Sequence, residues 1–144
     1  ERKEDPRIIQ GTFVGTPLYV SPEMLEFNLA GIFTDLWALG CIIYEMMIGK
    51  SPFFAKNSNE VFKKILERDI WFPSDFNKNA KDLIDKLLKV NPYERLGYNS
   101  YGDLKAHPFF EDIDFEKLES RELEVPDIDM FLMKCSEIED VDPL

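Results

Sequence analysis

The chain has 144 residues, of which 44% are hydrophobic and 13% are aromatic, so it is expected to form a packed domain and not a disordered chain. A formal net charge of −11 argues against nucleic acid as a partner, because binding to phosphate backbones needs clustered Lys and Arg. Two cysteines are too few for a disulfide framework, and the longest apolar run is too short to cross a bilayer. We therefore expect a cytoplasmic protein with no integral membrane segment.

The negative charge is concentrated at the C-terminal end. Residues 111–144 contain 13 acidic and three basic side chains, whereas residues 1–110 contain 15 acidic and 14 basic ones. This change in composition predicts a boundary near residue 110. Residues 1–20 have no helical period and contain two prolines and two glycines, which is typical of an extended loop. The sequence thus divides into a loop (1–20), a body (21–110) and an acidic C-terminal extension (111–144).

Helix signals begin at residue 21. Residues 21–23 (Ser-Pro-Glu) provide an N-cap, a proline at the first helical position and an early acid, which predicts a helix to about Phe27. Thr34 is the expected N-cap of a second helix, which ends at Gly49. Because residues 36–48 are apolar almost throughout, this second helix is expected inside the domain.

Three further helices are expected after residue 56. Asn57 and Glu60 have the spacing of a capping box and precede an amphipathic stretch. The apolar residues that follow Asn79 have a 3.6-residue period, which predicts a helix over 79–89. Residues 104–110 are expected to form one last short helix. No segment shows the alternation of a strand, so the predicted fold class is mainly α.

The residues themselves reveal no complete catalytic set. The single histidine, His107, precedes Pro108 in an aromatic context, so a structural role is expected for it. The sequence contains no glycine-rich phosphate-binding loop and no cluster of His, Cys and Asp with metal-ligand spacing. Periodicity alone therefore predicts a helical domain without catalytic machinery.

Five short motifs in a fixed order change this interpretation. They are residues 12–23 (TFVGTPLYVSPE), 35–40 (DLWALG), 49–53 (GKSPF), 95–97 (RLG) and 107–110 (HPFF). Together they resemble the C-terminal lobe of a eukaryotic Ser/Thr protein kinase, with residues 21–23 at the place of the A-P-E element. Within that family, residues 13–16, 19–23 and 36–44 are most similar to a phosphoinositide-dependent protein kinase of the AGC group.

The resemblance implies the helical C-terminal lobe of a protein-kinase-like fold, without the β-rich N-terminal lobe and the catalytic loop. It implies a fragment of an ATP-dependent phosphotransferase that acts on Ser and Thr of proteins in signal transduction. ATP and Mg are then expected to serve the full-length enzyme, with no residue of this chain binding either and no activity in this chain alone. The alternative is a non-catalytic kinase-like interaction module or a pseudokinase fragment.

Roles for individual residues also follow from the resemblance. Thr12 is at the position of the activation-loop phosphate, although a loop threonine chosen for turn chemistry is the alternative. The expected surface for the peptide substrate, here called the shelf, consists of Phe13, Val14, Gly15, Thr16, Pro17, Leu18 and Tyr19. Thr16 is at the position whose hydroxyl supports the catalytic base.

The remaining candidates are charged residues in the body. Glu45 interrupts an apolar helix, and in basophilic relatives this position faces an Arg of the peptide substrate, which implies a basic partner; a partly exposed helix end is the alternative. The resemblance implies that Glu23 and Arg95 form an ion pair that ties the activation segment to the helical body. Asp35 is at the position of an acid that accepts backbone N–H groups of the catalytic loop; from the residues alone it is an acid at a helix start, and the two roles are compatible.

Overall fold

The computed structural model describes residues 17–123 and the backbone of residues 9 and 10. The chain forms two compact units, residues 1–111 and 112–144. The described part of the first unit contains five α-helices: α1 (Pro22–Phe27), α2 (Ile32–Ile48), α3 (Ser58–Glu67), α4 (Lys78–Leu87) and α5 (Tyr101–Lys105). Short 3-10 helices cover Pro17–Tyr19, Pro92–Glu94 and Pro108–Phe110.

The longest helix, α2, begins earlier than predicted. Its N-cap is Gly31, so the prediction that Thr34 is the N-cap is wrong. Thr34 is the third helical residue, and its hydroxyl accepts a hydrogen bond from the Gly31 N–H at 3.1 Å. The threonine therefore satisfies a free N–H at the helix start from inside the first turn. Gly49 ends the helix in a left-handed conformation, with φ of 85°, as the sequence predicted.

Asparagine side chains fix the starts of α3 and α4. Asn57 accepts a hydrogen bond from the Glu60 N–H at 3.0 Å, so the predicted N-cap is confirmed. The Glu60 carboxylate accepts a hydrogen bond from the side-chain amide of Asn57 at 2.8 Å, whereas a full capping box would use the Asn57 backbone N–H. Helix α4 starts at Lys78, one residue before the predicted Asn79, because Asn77 accepts a hydrogen bond from the Ala80 N–H at 2.9 Å.

The end of α4 is held by an arginine that lies just after α3. Arg68 has a left-handed φ of 53°, and its guanidinium donates to the Leu88 carbonyl, to the Asp85 carbonyl and to the Asp85 carboxylate. These bonds satisfy carbonyl groups that the last turn of a helix leaves without partners. The predicted end of α4 at residue 89 is thus two residues too late.

The single helix predicted for residues 104–110 is wrong. Helix α5 ends at Lys105, and a separate 3-10 helix follows over Pro108–Phe110. Pro108 has no N–H to donate, and His107 before it adopts an extended ψ of 139°. A proline at this position therefore stops one helix and starts the next.

His107 has a structural environment. Its ring is buried, its Nε2 lies 2.8 Å from a carboxylate oxygen of Asp82, and its Nδ1 accepts a hydrogen bond from the Phe109 N–H at 3.2 Å. A hydrogen bond from Lys86, together with the one from His107, lowers the pKa of the Asp82 carboxyl. The histidine thus joins the last 3-10 helix to α4.

The core forms where α2 crosses α4. A Cβ at Gly40 would lie 2.8 Å from Leu88 Cδ2 and 3.0 Å from Leu87 Cβ, so the two helices approach more closely than any side chain would allow. Beside this crossing the rings of Trp37 and Phe53 are stacked, with centroids 5.3 Å apart. Other buried apolar residues around the crossing are Leu36, Cys41, Tyr44, Val61, Ile65, Leu83 and Ile84.

We expect Gly40→Val to destabilise this unit by about 3 kcal/mol, because the added atoms overlap Leu87 and Leu88 in a packed core. The measurement is denaturant unfolding of the full-length protein. The matched control is Gly102→Val on α5, where a Cβ meets only the Ser100 hydroxyl, at 3.2 Å. Equal losses of stability in the two variants would contradict the close approach of α2 and α4.

Two minimal strands also occur in the first unit. β1 (Ile9–Gln10) pairs antiparallel with β2 (Leu29–Ala30), with Ile9 opposite Ala30. The prediction that the chain has no strand is wrong at these positions. Two residues are too few to show an alternating pattern, so the sequence carried no signal for them.

The described part of the second unit contains α6 (Phe115–Ser120). Asp114 caps this helix by accepting a hydrogen bond from the Lys117 N–H at 3.1 Å, and Arg121 ends it with a left-handed φ of 61°. Over the residues that the structure describes, no helix in either unit has the length and apolarity needed to span a membrane.

Candidate functional site

The predicted shelf is described only in part. Thr12 and residues 13–16 lie outside the described residues, whereas Pro17, Leu18 and Tyr19 form a half-buried 3-10 helix. Ser51, in the turn after α2, donates a hydrogen bond from its hydroxyl to the Leu18 carbonyl at 3.2 Å. This buried serine fixes the shelf backbone against α2, and nothing in the sequence pattern had indicated that role.

Glu45 on α2 lies directly beneath the shelf. The Tyr19 hydroxyl donates a hydrogen bond to the Glu45 carboxylate, which is half-buried. This bond, and to a smaller degree burial, raises the pKa of Tyr19 above its usual value. The structure therefore places two of the predicted site residues in contact. The sequence identified Glu45 as an acid that needs a partner, but it did not indicate Tyr19, which lies 26 positions earlier in the chain.

Glu23 and Arg95 are also brought together, by a paired set of hydrogen bonds. The two terminal nitrogens of Arg95 donate to the two carboxylate oxygens of Glu23 at 2.8 and 2.7 Å. The exposed fraction of the Arg95 side chain is 0% and that of Glu23 is 5%. Such a two-pronged geometry is the strongest form of an Arg–carboxylate contact.

The remaining donors of Arg95 are used as well. Its guanidinium donates to the Phe33 carbonyl at 2.6 Å and to the Lys89 carbonyl at 2.9 Å, and it lies 4.9 Å from the centre of the Trp37 ring. One buried side chain therefore connects α1, the start of α2 and the segment that follows α4. This environment provides the hydrogen bonds that a buried charge requires.

Asp35 lies apart from these contacts. It is exposed in the first turn of α2, and none of the described residues gives its carboxylate a hydrogen bond. It begins a stripe at helical spacing that continues through half-buried Leu39, Ile42 with 47% exposure and Met46 with 80% exposure. An apolar helix of this kind is normally buried on all sides, so one face of α2 lacks a covering element within the described residues.

The described residues contain no cluster suited to a metal ion and one buried cysteine. Across residues 17–123, no group of three or more His, Cys, Asp and Glu side chains could hold a metal ion. Burial raises the pKa of the Cys41 thiol far above its usual value, so this cysteine is unreactive.

Comparison with known proteins gives the family. A model of the protein kinase domain matches residues 2–110. The chain belongs to the protein kinase domain family. Both the predicted resemblance to Ser/Thr kinases of the AGC group and the mainly helical fold class are confirmed.

Curated relatives agree with this assignment. The chain is 49% identical over 110 residues to mouse 3-phosphoinositide-dependent protein kinase 1, a match that covers 74% of this chain and 20% of the relative. It is 47% identical over 112 residues to the protein of the same name from Arabidopsis thaliana, covering 76% and 23%. It is 42% identical over 115 residues to the serine/threonine-protein kinase gad8 of Schizosaccharomyces pombe, covering 80% and 20%. The chain thus spans about a fifth of the length of these relatives.

Proposed function

We propose that the full-length protein is an ATP-dependent Ser/Thr protein kinase of signal transduction and that this chain is its peptide-binding lobe. The observation that carries the proposal is the position of Glu45, a half-buried carboxylate held by the Tyr19 hydroxyl next to the shelf. The low cysteine count supports a cytoplasmic site of action.

The chemistry of Glu45 favours a basic residue in the substrate. A carboxylate that is partly removed from water attracts a cation more strongly than one in bulk solvent, because the local dielectric is lower. Tyr19 provides one hydrogen bond to that carboxylate, and carboxylate oxygens have room for further donors. Lys or Arg of a bound peptide would supply such donors.

The uncovered face of α2 supports a larger catalytic domain. The stripe from Asp35 to Met46 has the composition of a buried surface, and the remainder of a kinase domain would cover it. We propose that the rest of the protein covers this face of α2 and binds ATP and Mg, which phosphoryl transfer requires.

The shelf beyond the described residues remains a prediction. A phosphate on Thr12 would add about −1.5 to −2 charges and order the loop by pairing with an arginine. Residues 13–16 would then continue the peptide surface from the 3-10 helix at Pro17–Tyr19, with the Thr16 hydroxyl supporting the catalytic base. Asp35 would bind backbone N–H groups of the catalytic loop.

The test is phosphate transfer by the full-length protein from Mg-ATP to a peptide library with randomised positions around Ser or Thr. We expect transfer with a preference for Arg or Lys, and we expect Glu45→Gln to weaken that preference by about tenfold, as for other charge-assisted contacts. The control is Glu60→Gln, an exposed acid at the start of α3. No transfer by the unmodified enzyme would favour the non-catalytic interaction module, and an unchanged preference in Glu45→Gln would contradict the role of this residue.

A further inference from the structure

An open groove of about 230 Å³ lies where the turn after α2 meets the segment after α3. Two aromatic side chains form its exposed wall, and we call it the aromatic groove. Its lining residues are Tyr44, Lys50, Ser51, Pro52, Phe54, Lys64, Asp69 and Trp71. None of the roles proposed above uses Phe54, Trp71 or either lysine.

The exposed wall of the aromatic groove consists of two aromatic side chains on a fixed backbone. Phe54 is 58% exposed and Trp71 is 63% exposed, although both belong to a residue class that folding normally buries. The backbone beneath Trp71 is fixed, because the buried Tyr44 hydroxyl donates to the Trp71 carbonyl at 2.6 Å. Preorganised, exposed aromatic side chains are the usual anchors of protein interfaces.

The charge of the aromatic groove selects its occupant. Lys50 and Lys64 line it together with a single acid, Asp69, and within the described residues none of the three forms an ion pair. The neighbouring Lys63, by contrast, lies 4.0 Å from the Glu67 carboxylate. Two cations against one anion, none of them paired within residues 17–123, give the lining of the groove a net positive charge, which complements an acidic partner.

The aromatic groove continues from the shelf. Ser51 lines the groove and also binds the Leu18 carbonyl of the shelf at 3.2 Å. Tyr44 of the groove directly precedes Glu45 on α2. Ser51 is therefore shared by the groove and the backbone contact of the shelf.

We propose that the aromatic groove binds an acidic segment with an apolar side chain in the protein substrate, separate from the basic residue that Glu45 recognises. This inference rests on the proposed function, and it deepens it by assigning a second recognition element to the substrate. The apolar side chain packs between Phe54 and Trp71, and the acidic residues beside it contact Lys50 and Lys64.

The first test compares peptide substrates with the full-length enzyme. A short acceptor peptide is used alone and with an extension, at either end, of one Phe flanked by Glu in a Gly/Ser background. We expect the better extension to lower KM by about tenfold, with kcat unchanged, and Trp71→Ala to abolish this gain, as interface anchors do. The control Tyr101→Ala removes another exposed ring, 53% exposed on α5, and should keep the gain.

A charge reversal sharpens this test. In the double variant Lys50→Glu and Lys64→Glu, an extension with Lys in place of Glu should become the better substrate. If Trp71→Ala keeps the full gain, or if the reversed groove still favours Glu, the assignment of the groove is wrong.

The second test measures binding without catalysis. A fluorescein-labelled peptide of one Phe flanked by Glu is titrated with the full-length protein, and fluorescence anisotropy reports the complex. We expect Trp71→Ala to weaken binding by about tenfold while Glu45→Gln leaves it unchanged. Equal binding of the peptide by the unmodified protein and by Trp71→Ala would contradict the proposal that the groove binds this segment. If the full-length protein transfers no phosphate but still binds the peptide in a Trp71-dependent way, the kinase proposal is wrong and the groove assignment stands.

Discussion

Replacement of Arg95 by Ala is expected to lower the free energy of unfolding by about 3–5 kcal/mol, because it leaves the Glu23 carboxylate buried without its partner. The carbonyls of Phe33 and Lys89 lose a donor at the same time. The measurement is the melting temperature of the full-length protein, together with its denaturant midpoint. An unchanged melting temperature would show that the ion pair does not support the lobe.

Two control variants separate the cost of leaving a carboxylate buried without a partner from the general effect of removing a cationic side chain. Lys63→Ala removes an exposed partner from a 4.0 Å surface pair and should change stability by less than about 1 kcal/mol. The double variant Glu23→Gln with Arg95→Met removes both charges and should be more stable than Arg95→Ala. If the double variant is instead the less stable of the two, the loss does not come from an uncompensated carboxylate.

Replacement of Trp37 by Ala is expected to destabilise the same unit by about 3–5 kcal/mol, because it empties a large volume at the centre of the core. Trp37 is fully buried, stacks on Phe53 with 5° between the ring planes, and lies against the Arg95 guanidinium. The measurement is again denaturant unfolding of the full-length protein.

The matched control for this variant is the other tryptophan of the chain. Trp71→Ala removes a side chain that is 63% exposed and should alter stability by about 0.5 kcal/mol or less. A similar loss in the two variants would contradict the core described here. Because Trp37 contacts Arg95, the losses from these two sites are not expected to add.

The sequence predicted best where a signal and its partner lie within one helical turn. Asn57 and Glu60 are three positions apart, and their spacing alone specified the start of α3. Gly49 likewise marked the end of α2, because the residue there has a left-handed backbone conformation, which glycine adopts without steric cost. The error at residues 104–110 was avoidable, because Pro108 is a local signal that ends a helix, and the prediction did not take it into account.

Contacts between distant positions could not be derived from periodicity. The partner of Glu23 is 72 residues away and was indicated only by the resemblance to protein kinases. The sequence predicted a basic partner for Glu45 in the substrate, but it did not predict that Tyr19 of the same chain donates a hydrogen bond to this carboxylate. Arg68 gave no sequence signal, because a non-glycine residue at positive φ is stabilised here by tertiary bonds to α4.

The contrast between the two tryptophans has a practical consequence. Trp37 is excluded from solvent beneath Arg95, whereas Trp71 stands at the open wall of the aromatic groove. A water-soluble quencher such as iodide reaches the indole of Trp71 and not that of Trp37. The quenchable part of this chain's fluorescence therefore reports occupation of the groove, and the protected part reports the integrity of the core around Arg95.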